Sequence, residues 1–136
     1  MKFLPIFLDL ADKKCVVVGG GEVAQRKAKL LLKTSAKVNI ISVEFTQGLR
    51  ELSDSHCTLI EQAFTPNHLA GAALIVAATD SATTNKEVAK IATELNIPVY
   101  VVDMPELCSC IMPALIDRSP VVIAVSTGGI SPLLTR

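Results

Sequence analysis

The sequence predicts an α/β protein built on a doubly wound parallel sheet, and three observations predict it. Short β-branched apolar runs alternate with amphipathic stretches along most of the chain, the pattern of strands joined by crossover helices. One of those runs passes directly into a glycine-rich turn that opens a helix. Hydrophobic residues fill 50% of the 136 positions and charged residues only 19%, enough apolar surface for a sizeable core. A chain of this length suits one domain of the common size, roughly 100–150 residues.

Each element follows in order. Cys15-Val16-Val17-Val18 is a continuous apolar run, as expected of a strand buried on both faces. Val23 to Lys33 sets Ala24, Ala28, Leu31 and Leu32 against Gln25, Arg26, Lys27, Lys29 and Lys33. That predicts a helix with one buried face and a basic last turn that suits its dipole. Lys37 to Val43 reads as the second strand, Thr46 to Leu52 as a short helix, and Thr58 to Gln62 as the third strand. Leu74 to Ala78 is a fourth, buried strand. Asp80, Ser81 or Thr83 can cap the helix that runs to about Leu95. Asn96-Ile97-Pro98 breaks that helix and delivers a fifth strand, Val99 to Val102. Met104 to Pro113 reads as a loop, Val121 to Val125 as one more strand, and a helix is expected to start at Pro132-Leu133-Leu134.

Composition removes several functional classes. Thirteen Lys and Arg balance thirteen Asp and Glu, so nothing draws the chain toward nucleic acid or anionic membrane. Aromatic residues reach only 4%, with no Trp, which leaves few platforms for base stacking. The apolar runs fall short of the roughly 18 residues of a membrane span. The opening Met1 to Leu8 is broken by Asp9 before it could serve as a targeting segment. Four cysteines (Cys15, Cys57, Cys108, Cys110) lack the spacing of a disulfide scaffold, so a reduced, cytoplasmic protein is expected.

The strongest motif is Gly19-Gly20-Gly21-Glu22-Val23-Ala24, a G-x-G-x-x-A run between a strand and a helix. In a Rossmann-like fold Gly19 allows the tight turn, Gly21 lets backbone approach a pyrophosphate, and Ala24 permits close helix–strand packing. The free amides and positive dipole end of the helix then face the phosphates. Glu44 ends the second strand, where a carboxylate can accept from ribose hydroxyls and repel a 2′-phosphate, which favours NAD. Val43 beside it can line an adenine pocket. Thr79 and Asp80 end the fourth strand on the same carboxyl edge, where they can bind ligand, cap a helix, or both.

Asp103, after the fifth strand on that edge, is the residue expected to act as a base; a turn aspartate is the plainer alternative. Cys108-Ser109-Cys110 falls short of a zinc set, so no metal site is expected. His56 and His68 read as surface residues. Asp117-Arg118 reads as a surface ion pair, though Arg118 can also meet a carboxylated substrate. Ser126-Thr127-Gly128-Gly129 is a turn, or less commonly an anion nest.

Several segments together resemble the N-terminal module of the siroheme synthase family. They are Leu4-Pro5-Ile6-Phe7-Leu8, Val16 to Lys27, Ala77-Ala78-Thr79-Asp80, Val101-Val102-Asp103-Met104-Pro105, Ile111-Met112-Pro113-Ala114, and Val125 to Pro132, in order over essentially the whole chain. The resemblance implies NAD-dependent precorrin-2 dehydrogenation to sirohydrochlorin, with ferrous iron inserted into sirohydrochlorin as a second activity. It implies an NAD site at Gly19, Gly21, Glu22, Val23, Val43, Glu44, Thr79 and Asp80, and a catalytic base at Asp103. Positive and polar groups should meet the carboxylated tetrapyrrole, which makes Arg118, Ser126 and Thr127 candidates. It further implies an NAD-binding domain over 1–112 and the beginning of a homodimerisation region over 113–136, with the rest of that region missing. A non-enzymatic NAD-sensing module, with Asp103 structural, is the rival expectation.

Overall fold

A computed structural model describes residues 1–128. Five parallel strands form one sheet: β1 (Lys14–Val18), β2 (Lys37–Ser42), β3 (Cys57–Glu61), β4 (Leu74–Ala77) and β5 (Val99–Val101). Their order across the sheet is β3-β2-β1-β4-β5, and every neighbouring pair is parallel. Strand order therefore reverses beside β1, and the crevice at the carboxyl ends of β1 and β4 is the place where such sheets bind ligands.

Alternate residues of the central strands feed two cores. On one face Val17, Ile40 and Val76 pack with Ala24, Ala28 and Leu31 of helix α1 (Glu22–Leu32). Helix α2 (Gln47–Leu52) adds Leu49 to the same side. On the other face Val16, Val18, Ile41, Ile75 and Ala77 meet Val88, Ala89 and Ala92 of helix α3 (Ala82–Glu94). Each fully buried Val, Leu or Ile contributes about 1.5–3 kcal/mol by leaving water. The doubly wound architecture thus follows from strands that are apolar on both faces, as the continuous valine and isoleucine runs predict.

The expected element ends hold to within one residue, and one such shift bears on the site. β2 ends at Ser42, so Val43 and Glu44 belong to the loop beyond it. There the Gly19 amide donates to Ile41 O (2.9 Å) and the Thr46 amide to Gly20 O (3.0 Å), which turns the chain off the sheet. The strand expected over Val121 to Val125 is present, outside the parallel sheet. It forms β7 (Val121–Val125), antiparallel to an unexpected β6 (Ala114–Arg118), in a two-stranded sheet of its own with Ile116 opposite Ile123. The helix expected at 132–134 lies outside the described residues, as does Gly129.

The free edge of β5 is finished by the loop that follows it. The Val99 amide donates to Ser109 Oγ (2.9 Å), and Val99 O accepts from the Ser109 and Cys110 amides. The Val101 amide donates to Cys108 Sγ (3.1 Å). Cys108 and Ser109 thereby occupy positions that another strand would otherwise fill.

Candidate functional site

The glycine turn joins β1 to α1 at the centre of the carboxyl edge. Gly19 has φ +142°, and a side chain there would collide with the Ala78 carbonyl oxygen. Gly20, in a variable slot of the motif, is equally constrained, because a Cβ would strike Glu44 O and the Ser42 side chain. Gly21 is the opposite case: nothing lies within 4 Å of where its Cβ would be. It is the N-cap of α1 and has no side chain to satisfy the first helical amides. Open space over unpaired amides at a helix start is an anion cradle, so these residues fit a dinucleotide pyrophosphate. Ala24 is fully buried against the strands, as close packing requires.

A cleft of about 320 Å³ opens beside this turn, lined by Val18, Ser42, Val43, Phe64, Thr79 and Asp80 among others. Val43 is 63% exposed and stands free at its rim. Glu44 is exposed next to it, its amide donating to Ser42 Oγ at 3.4 Å. Thr79 is held by a residue the sequence did not single out. Asn85, 5% exposed and the one buried polar residue among those described, accepts from Thr79 Oγ1 (2.7 Å) and from the Thr79 amide (3.2 Å). Its Nδ2 donates back to Thr79 O at 3.0 Å. The cap of α3 is Ser81, whose Oγ accepts from the Thr84 amide at 3.2 Å, which leaves Asp80 exposed at the cleft.

Asp103 lies two residues beyond β5 on the same edge. Its carboxylate is exposed, and its backbone is left-handed with φ 60°, a conformation aspartate tolerates better than most residues. The loop around it is pinned by Cys108, whose thiol faces Val101 O at 3.3 Å and Met104 O at 3.6 Å. Burial raises the Cys108 thiol, helped by Glu106 and opposed by its contact with the Val101 backbone. Burial first and Cys108 second push Cys110 up to about 11. Both sulfurs are therefore protonated near pH 7 and poor nucleophiles. Among the described residues no cluster of three or more His, Cys, Asp or Glu could hold a metal ion.

Tyr100 and Lys27 complete this corner and were not expected there. The alternation along α1 predicts a solvated Lys27, yet it is half-buried with Nζ 5.2 Å from the Tyr100 ring centroid. Burial and Arg26 lower the Lys27 ammonium, while Asp103 opposes them. Tyr100 is raised by burial, then by Cys108, Asp103 and Cys110.

The remaining predicted residues stand on the two-stranded sheet. Arg118 is exposed at the end of β6, and its Nη1 donates to the Asp117 carbonyl (3.1 Å). The expected Asp117–Arg118 ion pair is absent, because Asp117 Oδ1 accepts from Ser119 Oγ instead (2.8 Å). Ser126 Oγ accepts from the Gly128 amide (3.0 Å), closing a turn, and Thr127 is partly buried. Arg118 makes no ion pair with Asp103.

A family described as "Putative NAD(P)-binding" matches residues 6–114. The chain belongs to that NAD(P)-binding family. Its whole length also aligns with siroheme synthases, at 49% identity for Nitrosospira multiformis and 47% for Methylobacillus flagellatus. It spans 30% and 29% of those two relatives. Among solved structures, SirC, a precorrin-2 dehydrogenase, superposes with a TM-score of 0.77 at 23% identity, covering 97% of this chain and 65% of its own. The NAD(P)-binding domain is thus Rossmann-like, and the resemblance to siroheme synthases holds from end to end. Among the described residues no helix is long and apolar enough to cross a membrane.

Proposed function

We propose that this chain is the dehydrogenase module of siroheme biosynthesis, oxidising precorrin-2 to sirohydrochlorin with NAD. One observation carries the reading: the open cradle at Gly21 and the Asp103 carboxylate occupy one edge of one sheet, in a chain that aligns end to end with siroheme synthases. Bound NAD supplies the hydride acceptor. The turn at Gly19, Gly20 and Gly21 and the first amides of α1, at Glu22 and Val23, hold the pyrophosphate. Val43 borders the adenine, and the Glu44 carboxylate accepts from the ribose and disfavours a 2′-phosphate. Thr79, fixed by Asn85, and Asp80 close the cleft wall. Asp103 accepts the proton released as conjugation extends around the macrocycle. The same carboxylate can accept pyrrole protons as ferrous iron, a substrate, enters sirohydrochlorin. Arg118, Ser126 and Thr127 meet substrate carboxylates.

Residues 1–112 form the nucleotide-binding domain in this reading, and 113–136 begin a homodimerisation region. Support comes from β6 and β7, whose Leu115, Ile116, Val121, Val122, Ile123 and Val125 are all exposed, apolar surface that a second copy would cover. Four free thiols fit a reducing cytoplasm.

The test is anaerobic turnover of precorrin-2 with NAD, following NADH and sirohydrochlorin together. Asp103→Asn is the informative variant, since asparagine also tolerates a left-handed backbone and keeps the turn. Turnover should fall at least about 100-fold while NAD affinity stays unchanged. NAD should bind more tightly than NADP, and Glu44→Ala should narrow the gap. Unimpaired turnover by Asp103→Asn overturns the base assignment, and no turnover by the unsubstituted protein overturns the activity.

A further inference from the structure

The cation at Lys27 has no role in the site as derived so far. It sits in the second turn of α1 and leans across to β5, where its Nζ lies 5.2 Å from the Tyr100 ring centroid. Tyr100 packs against the α1-side core, so the ring is a fixed platform. Asp103 follows three residues later and is close enough for its charge to be felt by both Lys27 and Tyr100.

The contacts Lys27 lacks are as informative. Among the described residues it forms neither ion pair nor hydrogen bond; the one ion pair there joins Arg50 to Glu61 at 2.7 Å. A half-buried ammonium has surrendered part of its hydration, and an aromatic face returns only part of that cost. Its three N–H donors remain available for an acceptor. Arg26 precedes it on the helix, exposed and also cationic, so the local field favours an anion. Neutralising Asp103 is not its task, since the two lie beyond ion-pair distance.

We infer that Lys27 anchors a carboxylate of the substrate, with the Tyr100 ring positioning the ammonium so that the macrocycle edge rests beside Asp103. This rests on the precorrin-2 reading and deepens it, by naming the cation on the nucleotide-binding domain that recognises a polycarboxylated tetrapyrrole. Lysine suits the purpose as a compact charge with rotatable donors, able to follow a flexible acetate or propionate arm.

The test is titration of the protein with sirohydrochlorin, followed by its absorbance, at low and high salt. The unsubstituted protein, Lys27→Gln and Lys27→Arg are compared, with NAD affinity and thermal unfolding measured for each. Lys27→Gln should weaken sirohydrochlorin binding about 10-fold, the size of one lost charge-assisted hydrogen bond. It should also flatten the salt dependence, leave NAD affinity unchanged, and raise the KM for precorrin-2 more than it lowers kcat. Lys27→Arg should recover most of the affinity. Equal sirohydrochlorin binding by Lys27→Gln and the unsubstituted protein overturns the inference while the dehydrogenase reading stands. A parallel loss of NAD affinity or of thermal stability overturns it too, because Lys27 would then act on the fold. Failure of the unsubstituted protein to bind sirohydrochlorin overturns the reading and the inference together.

Discussion

Gly20 illustrates how a single position can carry a constraint that its motif leaves open. Its neighbours in the G-x-G-x-x-A run have assigned purposes, whereas the slot at 20 accepts anything in the pattern. Here the loop after β2 passes so close that a methyl group would meet Glu44 O. Gly20→Ala should therefore push the Glu44 loop away and weaken NAD binding about 10-fold or more, measurable by fluorescence titration, with Gly21→Ala milder in its effect on the apoprotein fold. Cys108 makes a comparable point in a thiol. It spans Val101 and Met104 around Asp103, so Cys108→Ala should lower kcat with little change in NAD affinity, and Cys108→Ser should restore part of it. Sequence alone marked neither residue's purpose. Gly20 depends on a loop 24 residues away, and Cys108 reads as half of an incomplete metal pair. The places of Gly19, Gly21 and Ala24 in the strand-to-helix turn, and of Asp103 beyond β5, were legible because strand-to-helix context and strand ends are local signals.

Among elements, the parallel strands were the most legible and the hairpin the least. β1 and β4 announce themselves by unbroken apolar runs, which only a strand covered on both faces can keep. β6 ends in Asp117-Arg118 and acquires strand character from pairing with β7, a partner no local pattern names. Asn85 was hidden for a related reason: an asparagine in a helix reads as solvated, and its burial depends on the β4 end it latches. Asn85→Ala would strand the Thr79 amide and carbonyl and should cost about 1–3 kcal/mol of stability, read from a denaturant midpoint. The strands also hold a pH dependence. Burial raises Cys15 in β1 from 9.0 to about 11, and burial followed by Asp54 does the same to Cys57 in β3. The unfolded chain releases these protons first, so their contribution to stability is complete below pH 9 and is lost as pH rises toward 11. Denaturant midpoints should fall across that window, and replacing both cysteines by alanine should flatten the fall.

At the scale of the whole molecule, the five-stranded sheet is self-contained while the two-stranded sheet is not. Ile123 and its apolar neighbours on β6 and β7 face solvent, and a two-stranded ribbon is marginal by itself. If a second copy covers them, Ile123→Lys should shift sedimentation from dimer to monomer and leave NAD affinity intact. The other apolar edge has already been dealt with inside the chain. A strand at the margin of a sheet usually offers its unpaired amides and carbonyls to any passing extended segment, which is how ordered aggregates begin. Along β5 those groups are spent on a hydroxyl and a sulfur from the loop that follows. The loop that shapes the corner around Asp103 is thus also a hem. It keeps one molecule's sheet from being stitched to the next, so a change made there to alter chemistry should be screened for solubility as well as for rate.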